Sequence, residues 1–126
     1  MLPVNSAISI VDDDDFVRNS LNNLLRSVGM RTHGFSSAGE FLNSNELHDT
    51  NCLLLDVRMP GMSGLDLQRQ LRAANSQIPI VFITSHADDD ARALALAAGA
   101  AAFLYKPCRK ETLLEAIDSA LNHKVP

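Results

Sequence analysis

The 126-residue sequence is poor in cysteine, in long apolar runs and in basic residues. Its two cysteines, Cys52 and Cys108, are too few for a disulfide framework and lack the paired spacing of a metal site. No apolar run approaches the roughly 18 residues that suggest a membrane span, so we expect no membrane association. Because Lys and Arg total only 11 and form no cluster, we do not expect this chain alone to bind nucleic acid.

A secretory signal pattern, in which positive charges precede an apolar stretch, is also missing from the start of the sequence. With so few cysteines, this predicts a reduced, cytoplasmic protein. Hydrophobic residues make up 46% of the chain, which is enough for one packed core. The length fits a single domain.

Apolar periodicity divides the chain into five strands that alternate with five helices. The predicted strands cover residues 7–11, 30–35, 52–55, 79–84 and 101–105. The predicted helices cover residues 16–28, about 37–42, 65–74, 88–98 and 109–122, and the polar residues 43–51 are predicted to form a loop. Such alternation predicts a parallel sheet with helices on both faces.

Polar residues directly follow four of the predicted strands, at the point where each strand ends. They are Asp12 and Asp13, Asp56, Thr84 and Ser85, and Lys106. In open parallel sheets, ligands bind outside the carboxyl ends of the strands. We therefore expect these side chains to converge at one edge of the sheet.

The three aspartates would repel one another at close range unless a cation lay between them. Carboxylate oxygens suit Mg²⁺, which usually takes one or two carboxylates together with waters and phosphate oxygens. Lys106 adds a positive charge and Thr84 a hydroxyl donor. This set favours phosphoryl transfer in which a carboxylate is the nucleophile and becomes an aspartyl phosphate.

Each of these signals also has a purely structural interpretation. An Asp run after a strand commonly caps a helix, a Lys before a Pro is ordinarily a loop charge, and a Thr at a strand end is mostly structural. Their joint arrangement at successive strand ends favours a functional site. A nucleotide-binding loop is not supported, because neither G-x-G-x-x-G nor a Walker-type motif occurs.

Four segments in this order closely resemble the receiver domain of bacterial two-component response regulators, and the FixJ/NarL type most of all. The segments are VDDDD at residues 11–15, LLLDVRMPGMSG at 53–64, VFIT at 81–84 and FLYKP at 103–107. The resemblance covers roughly residues 7–121. It implies a flavodoxin-like (βα)₅ doubly wound parallel sheet with strand order 2-1-3-4-5.

The resemblance assigns the phosphoacceptor and the metal ligands. Asp56 matches the phospho-accepting aspartate of the family. Asp12 and Asp13 match the acidic pair that binds Mg²⁺, for which Mn²⁺ is a possible substitute. Arg58 would contribute its backbone carbonyl to the metal, and Asp56 would also be a ligand.

The resemblance also assigns a phosphoryl pocket and a switch. Thr84 matches the hydroxyl that bonds the phosphoryl group, Lys106 matches the family's lysine, and Ser85 is small, as the family requires there. Phe103 lies three residues before the lysine, at the position of the family's switch aromatic. Pro107 resembles the proline that follows a cis peptide. The family's usual aromatic after Lys-Pro is replaced by Cys108, for which we favour a buried, unreactive thiol.

The function implied is that of a phosphorylation-controlled switch and not of an enzyme that releases a product. A sensor histidine kinase would donate the phosphoryl group, and the domain would assist its own phosphotransfer and dephosphorylation. Two alternatives stay open. Aspartyl-phosphate hydrolases place a second aspartate two residues after the nucleophile, where this chain has Arg58. An interaction module that keeps only the fold is disfavoured by the complete set of site residues.

The resemblance further implies a single receiver domain over residues 1–126, with no output domain in this chain. FixJ/NarL-like regulators usually continue into a helix-turn-helix DNA-binding domain, so transcription control would be the task of a longer protein. A phosphorylation-dependent homodimer through the fourth helix, fifth strand and fifth helix is also expected, since Ala93, Ala97 and Ala100 would permit close approach.

Overall fold

The computed structural model describes residues 6–122. Five strands form one sheet: β1 Ala7–Val11, β2 Arg31–Phe35, β3 Cys52–Leu55, β4 Ile80–Thr84 and β5 Ala102–Tyr105. Five α-helices alternate with them: α1 Asp15–Ser27, α2 Ala38–Leu42, α3 Gly64–Ala73, α4 Asp89–Ala97 and α5 Lys110–Asn122. The predicted alternation is therefore confirmed.

All neighbouring strands in the sheet are parallel, and their order is β2-β1-β3-β4-β5. This is the predicted doubly wound, flavodoxin-like arrangement. β1, β3 and β4 are buried along their whole length, as expected for central strands covered by helices on both faces.

Two apolar clusters fill the space between the sheet and its helices. One centres on Phe41, Leu55 and Phe82 and packs against α2, α3 and α4. The other contains Ile10 and Leu54 and packs against α1 and α5. Neighbouring residues of β3 thus point to opposite faces, and the sheet becomes a rigid support for the loops at its carboxyl edge.

Aspartate side chains cap the starts of two helices, α1 and α4. The Asp14 carboxylate accepts hydrogen bonds from the backbone N–H groups of Phe16 and Val17, and Asp88 accepts one from Ala91. Asp14, which follows the Asp12–Asp13 pair, therefore caps α1, a common role for an aspartate in such a run. Asp12 and Asp13 do not cap the helix, and they lie at the carboxyl edge of the sheet, where Asp12 pairs with Lys106.

The segment predicted as a loop over residues 43–51 contains a 3₁₀ helix, Asn45–Asp49. This part of the prediction was wrong. The preceding Ser44 makes no side-chain cap to the helix, so the usual sequence signal for a helix start is weak here. Among residues 6–122, no helix is both long enough and apolar enough to cross a bilayer.

Candidate phosphorylation site

The register of the two central strands places Asp12 and Asp56 side by side. Val11, the last residue of β1, pairs with Leu55, the last residue of β3. The backbone N–H of Asp56 donates to the carbonyl of Val11 at 3.0 Å, which continues the ladder past the end of β3. Both aspartates are buried, so solvent screens the repulsion between their charges only weakly.

Asp13 completes a group of three carboxylates. Asp12, Asp13 and Asp56 each offer one oxygen, and these three oxygens lie within 4.8 Å of one another. Asp13 is exposed, whereas the other two are buried, so the group opens to solvent on one side. Oxygen donors in a cluster open to water fit Mg²⁺, which retains several waters when proteins bind it.

Lys106 brings the positive charge into the site. Its Nζ lies 2.8 Å from Oδ2 of Asp12 and 3.8 Å from Oδ2 of Asp56. The backbone N–H of Lys106 donates to the carbonyl of Thr84 at 2.7 Å, which anchors the end of β5 beside the end of β4. The Lys106–Pro107 peptide is cis, as the resemblance implied.

The electrostatics of the site act most strongly on Asp56. Burial, and to a smaller extent the neighbouring Asp12 charge, raises the pKa of its carboxyl from the ordinary 3.8 to about 6. Lys106 and backbone hydrogen bonds from Arg58 and Val57 oppose these effects. A carboxylate held in this way gains most from an additional cation.

Thr84 ends the next strand of the sheet. Its side chain is buried, and its Oγ1 accepts a hydrogen bond from the backbone N–H of His86 at 3.2 Å. Ser85 and His86 are both exposed. The hydroxyl hydrogen of Thr84 is therefore free to point toward a group beyond the strand end, because this contact uses only the oxygen as acceptor.

Phe103 is directed into the core. It is 8% exposed, and its ring centroid lies 5.7 Å from that of Phe82 and 5.6 Å from that of Tyr105. Tyr105 is 37% exposed. Phe103 thus lies under the α4 face of the sheet, while Tyr105 forms part of the outer surface of β5.

Arg18 is a site neighbour that the sequence analysis missed. It lies one turn into α1, and its Nη1 donates to the backbone carbonyl of Asp12 at 2.6 Å, while Nη2 pairs with Asp15. The guanidinium therefore ties α1 to the loop that carries Asp12 and Asp13. The only signal for it in the sequence is an Arg three residues after Asp15, a spacing that fits many surface ion pairs.

Cys108 is partly buried, and burial raises the pKa of its thiol. Lys106 nearby acts in the opposite direction but is a smaller influence. The thiol is thus less buried than the sequence analysis expects, and its raised pKa leaves little thiolate at neutral pH.

Comparison with known proteins gives consistent matches over nearly the whole chain. The family model for the response regulator receiver domain matches residues 8–118. Response regulator protein TodT of Pseudomonas putida is 51% identical over 116 residues, which are 92% of this chain and 51% of TodT. Transcriptional regulatory protein FixJ of Azorhizobium caulinodans is 37% identical over 120 residues, which are 95% of this chain and 57% of FixJ.

The crystal structure of FixJ-N superposes on this chain with a TM-score of 0.86 and 36% sequence identity. The superposition covers 98% of this chain and 99% of the FixJ-N chain. The chain spans about half the length of the curated relatives it matches. A five-stranded parallel sheet whose strand ends gather three aspartates, a threonine and a lysine agrees with these matches. The chain belongs to the receiver domain family of response regulators.

Proposed function

We propose that Asp56 is the phosphoacceptor of this domain and that a sensor histidine kinase supplies the phosphoryl group. An oxygen of Asp56 attacks phosphorus in line with the bond to the donor imidazole nitrogen. The new O–P bond forms as the N–P bond breaks, and the imidazole leaves with the electron pair and takes up a proton. The observation that carries the proposal is the position of Asp56, which is buried within 3.8 Å of Lys106 and in reach of two further carboxylates.

Asp12, Asp13, Asp56 and the backbone carbonyl of Arg58 would hold Mg²⁺, with Mn²⁺ as a possible substitute. The ion, when bound, would offset negative charge on the phosphoryl oxygens. Lys106 contributes a second positive charge from the carboxyl end of β5. The Thr84 hydroxyl donates a hydrogen bond to a phosphoryl oxygen, and the small, exposed Ser85 leaves room for it.

The same groups would assist loss of the phosphoryl group to water, so that the domain shapes both its own phosphorylation and its own dephosphorylation. Its product is a signal and not a released compound. Arg58 is exposed and its guanidinium lies 3.7 Å from Asp88, so it supplies no acid at the place where aspartyl-phosphate hydrolases have one. This favours the switch over the hydrolase.

We further propose that residues 1–126 form one receiver domain and that a longer protein carries a DNA-binding output domain of the helix-turn-helix type. The name of FixJ as a transcriptional regulatory protein supports transcription control as the output. Kinase-dependent control of transcription places the domain in the cytoplasm.

A homodimer that forms on phosphorylation would use the surface of α4, β5 and α5. Leu94 and Leu96 of α4 are 58% and 37% exposed, and Tyr105 of β5 is 37% exposed, so these two elements expose three large apolar side chains. A second copy of the same domain could cover them.

The phosphoacceptor assignment is tested by intact-mass measurement with Mg²⁺ and acetyl phosphate. The wild-type chain should gain one phosphoryl group, and Asp56→Asn should gain none while keeping its fold. Asp90→Asn, which changes an exposed carboxylate on α4, should be modified like the wild type. Sustained turnover of a phosphate ester would favour the hydrolase, and an unmodified wild type would favour the inert interaction module.

A further inference from the structure

The first residue of α3 lies directly against the backbone of Asp56. Gly64 is buried, and its backbone N–H donates to the carbonyl of Val57 at 2.9 Å. A Cβ atom added to Gly64 would lie 2.1 Å from the carbonyl oxygen of Asp56 and 3.0 Å from its carbonyl carbon. It would also lie 3.2 Å from Cγ of Leu55. Helix α3 therefore approaches the end of β3 more closely than any residue with a side chain allows.

Space, and not backbone conformation, requires glycine here. The glycines with positive φ among residues 6–122 are Gly29, Gly61 and Gly99, so Gly64 has a backbone that alanine adopts readily. Alanine is also the better helix former, and on propensity alone it would stabilise the start of α3. The atoms in the way belong to the main chain of Asp56, which cannot rotate aside as a side chain could.

Any residue larger than glycine must therefore move α3 away or move the Asp56 peptide. The start of α3 is fixed by a capping box in which Ser63 and Asp66 bond each other's backbone N–H. The backbone of Asp56 is also held through its N–H group, which donates to the carbonyl of Val11. A shift at this contact would change the distances of the Asp56 carboxylate from Lys106 and from the Asp12–Asp13 pair.

We propose that Gly64 is a positioning residue for phosphorylation, and that its missing side chain sets the place of the Asp56 carboxylate relative to the other site residues. This inference rests on the proposed role of Asp56. Gly64 itself touches neither metal nor phosphoryl group and acts only through the main chain of Asp56.

Gly64→Ala is the test, and the chain offers a matched control in Gly39→Ala. Gly39 also lies in the first turn of a helix, α2, whose N-cap is Ser37. A Cβ at Gly39 would meet only Oγ of Ser37, at 3.9 Å. Ile117→Val serves as a second control, because it loosens the core under α5 without touching the β3–α3 loop.

Two quantities are measured on the folded proteins: Mg²⁺ affinity by titration calorimetry, and the initial rate of phosphorylation by acetyl phosphate at saturating Mg²⁺. Removing a group that orients metal ligands typically lowers affinity about tenfold or more. We expect Gly64→Ala to lose about tenfold in both quantities. Gly39→Ala and Ile117→Val should stay close to wild type, whatever their stability.

Three results would overturn the inference. One is a Gly64→Ala protein with wild-type Mg²⁺ affinity and rate. Another is an equal loss of Mg²⁺ affinity and phosphorylation rate in Ile117→Val at equal stability, which would mean that Gly64 has only a structural role.

If Gly64→Ala is unfolded in buffer, all variants are measured with an osmolyte such as trimethylamine N-oxide, which favours compact states. Failure to fold even there would also count against it, because the proposal confines the shift to one loop. An unphosphorylated wild type would instead refute the proposed function.

Discussion

Nζ of Lys106 lies 2.8 Å from Oδ2 of Asp12, a full ångström closer than to Oδ2 of Asp56. The lysine therefore neutralises Asp12, a proposed metal ligand, more directly than it neutralises Asp56, the proposed phosphoacceptor. A bound Mg²⁺ would share the site with this ammonium group. Lys106 should consequently oppose metal binding while it favours the incoming phosphoryl oxygens.

Replacing Lys106 with methionine should separate these two effects. Two unit charges 4 Å apart interact with about 1 kcal/mol in a water-like medium, and with more in a partly buried site. We expect Lys106→Met to bind Mg²⁺ about fivefold more tightly at pH 8, yet to be phosphorylated by acetyl phosphate at least tenfold more slowly. Calorimetry and intact-mass kinetics check both numbers. Parallel changes in the two would show that Lys106 does not compete with the metal.

Replacing Asp13 should weaken Mg²⁺ binding, whereas replacing Lys106 should strengthen it. It is the exposed member of the carboxylate group, and its loss leaves two buried oxygen donors already paired with Lys106. Asp13→Ala should lower Mg²⁺ affinity and phosphorylation together, each by about tenfold or more. Asp14→Ser is the control, since serine removes a neighbouring charge but keeps the N-cap of α1. If Asp13→Ala and Asp14→Ser had equal effects, Asp13 would act only through its negative charge near the site and not as a metal ligand.

Much of this site could be predicted from the sequence because it depends on strand ends. A parallel sheet brings the carboxyl ends of its strands to one edge, so Asp12, Asp56, Thr84 and Lys106 needed only correct strand boundaries to be placed together. The order and register of the strands then determine which of these residues are neighbours. The 3₁₀ helix Asn45–Asp49 could not be predicted in the same way, because it lacks both an apolar period and a side-chain cap.

The features that escaped prediction depend on how a helix packs against the end of the preceding strand, which the sequence pattern of neither element shows. Gly64 belongs to a turn-like run of Met, Pro, Gly and Ser, where a glycine is expected for conformational reasons. Only the structure shows that its surroundings are the main chain of Asp56. Arg18 is similar, because its bond to the Asp12 carbonyl requires α1 to lie at one particular angle to β1.

The raised pKa of Asp56 predicts a pH-dependent cost to stability. Its pKa is about 6 in the folded protein, against an ordinary value of 3.8, so the folded state holds the proton more tightly than the unfolded state. The stabilisation that protonation gives is complete below pH 4 and is lost as the pH rises through 6. Asp56→Asn, which mimics the neutral form, should then be more stable than wild type by about 2–3 kcal/mol at pH 8.

Urea unfolding at pH 4, 6 and 8 with a metal chelator measures this difference. The gap between Asp56→Asn and wild type should be small at pH 4, intermediate at pH 6 and largest at pH 8. Excess Mg²⁺ should narrow it at pH 8, because the cation stabilises the ionised wild type. A gap that does not vary with pH would show that burial of Asp56 is not its origin.

Leu94, the more exposed of the two exposed leucines of α4, predicts where two phosphorylated domains meet. Leu94→Asp would place a charge on the surface proposed to face a second copy. It should abolish a phosphodonor-dependent increase in sedimentation coefficient while leaving phosphorylation itself intact. Phe16→Asp is the matched control, since Phe16 is another highly exposed apolar residue but lies on α1. If only the control, Phe16→Asp, failed to dimerise, the interface would lie on α1 and not on α4.

The link from Thr84 to Phe103 gives the last prediction. A phosphoryl group on Asp56 brings about −1.5 to −2 charge and three acceptor oxygens to the strand ends. Thr84 can turn its hydroxyl toward one of them, and the loop that follows, now bonded to Oγ1 through His86, should move with it. Phe103 lies inward in this structure, at 8% exposure, against Phe82 and Tyr105. We therefore expect Phe103 to keep this inward rotamer when Asp56 is phosphorylated, and to adopt both inward and outward rotamers when Asp56 is not phosphorylated.

Thr84→Ala should still accept the phosphoryl group but lose the response at β5. Amide and aromatic NMR signals of Phe103 and Tyr105, recorded with and without beryllofluoride as a phosphoryl mimic, report the rotamers directly. Phe103 should sample two environments without the mimic and one with it, and Thr84→Ala should remove that difference. Thr84→Ser, which keeps the hydroxyl, should retain it. If Phe103 has a single environment throughout while the α4–β5 surface still changes, Phe103 is a fixed core residue and the signal takes another route.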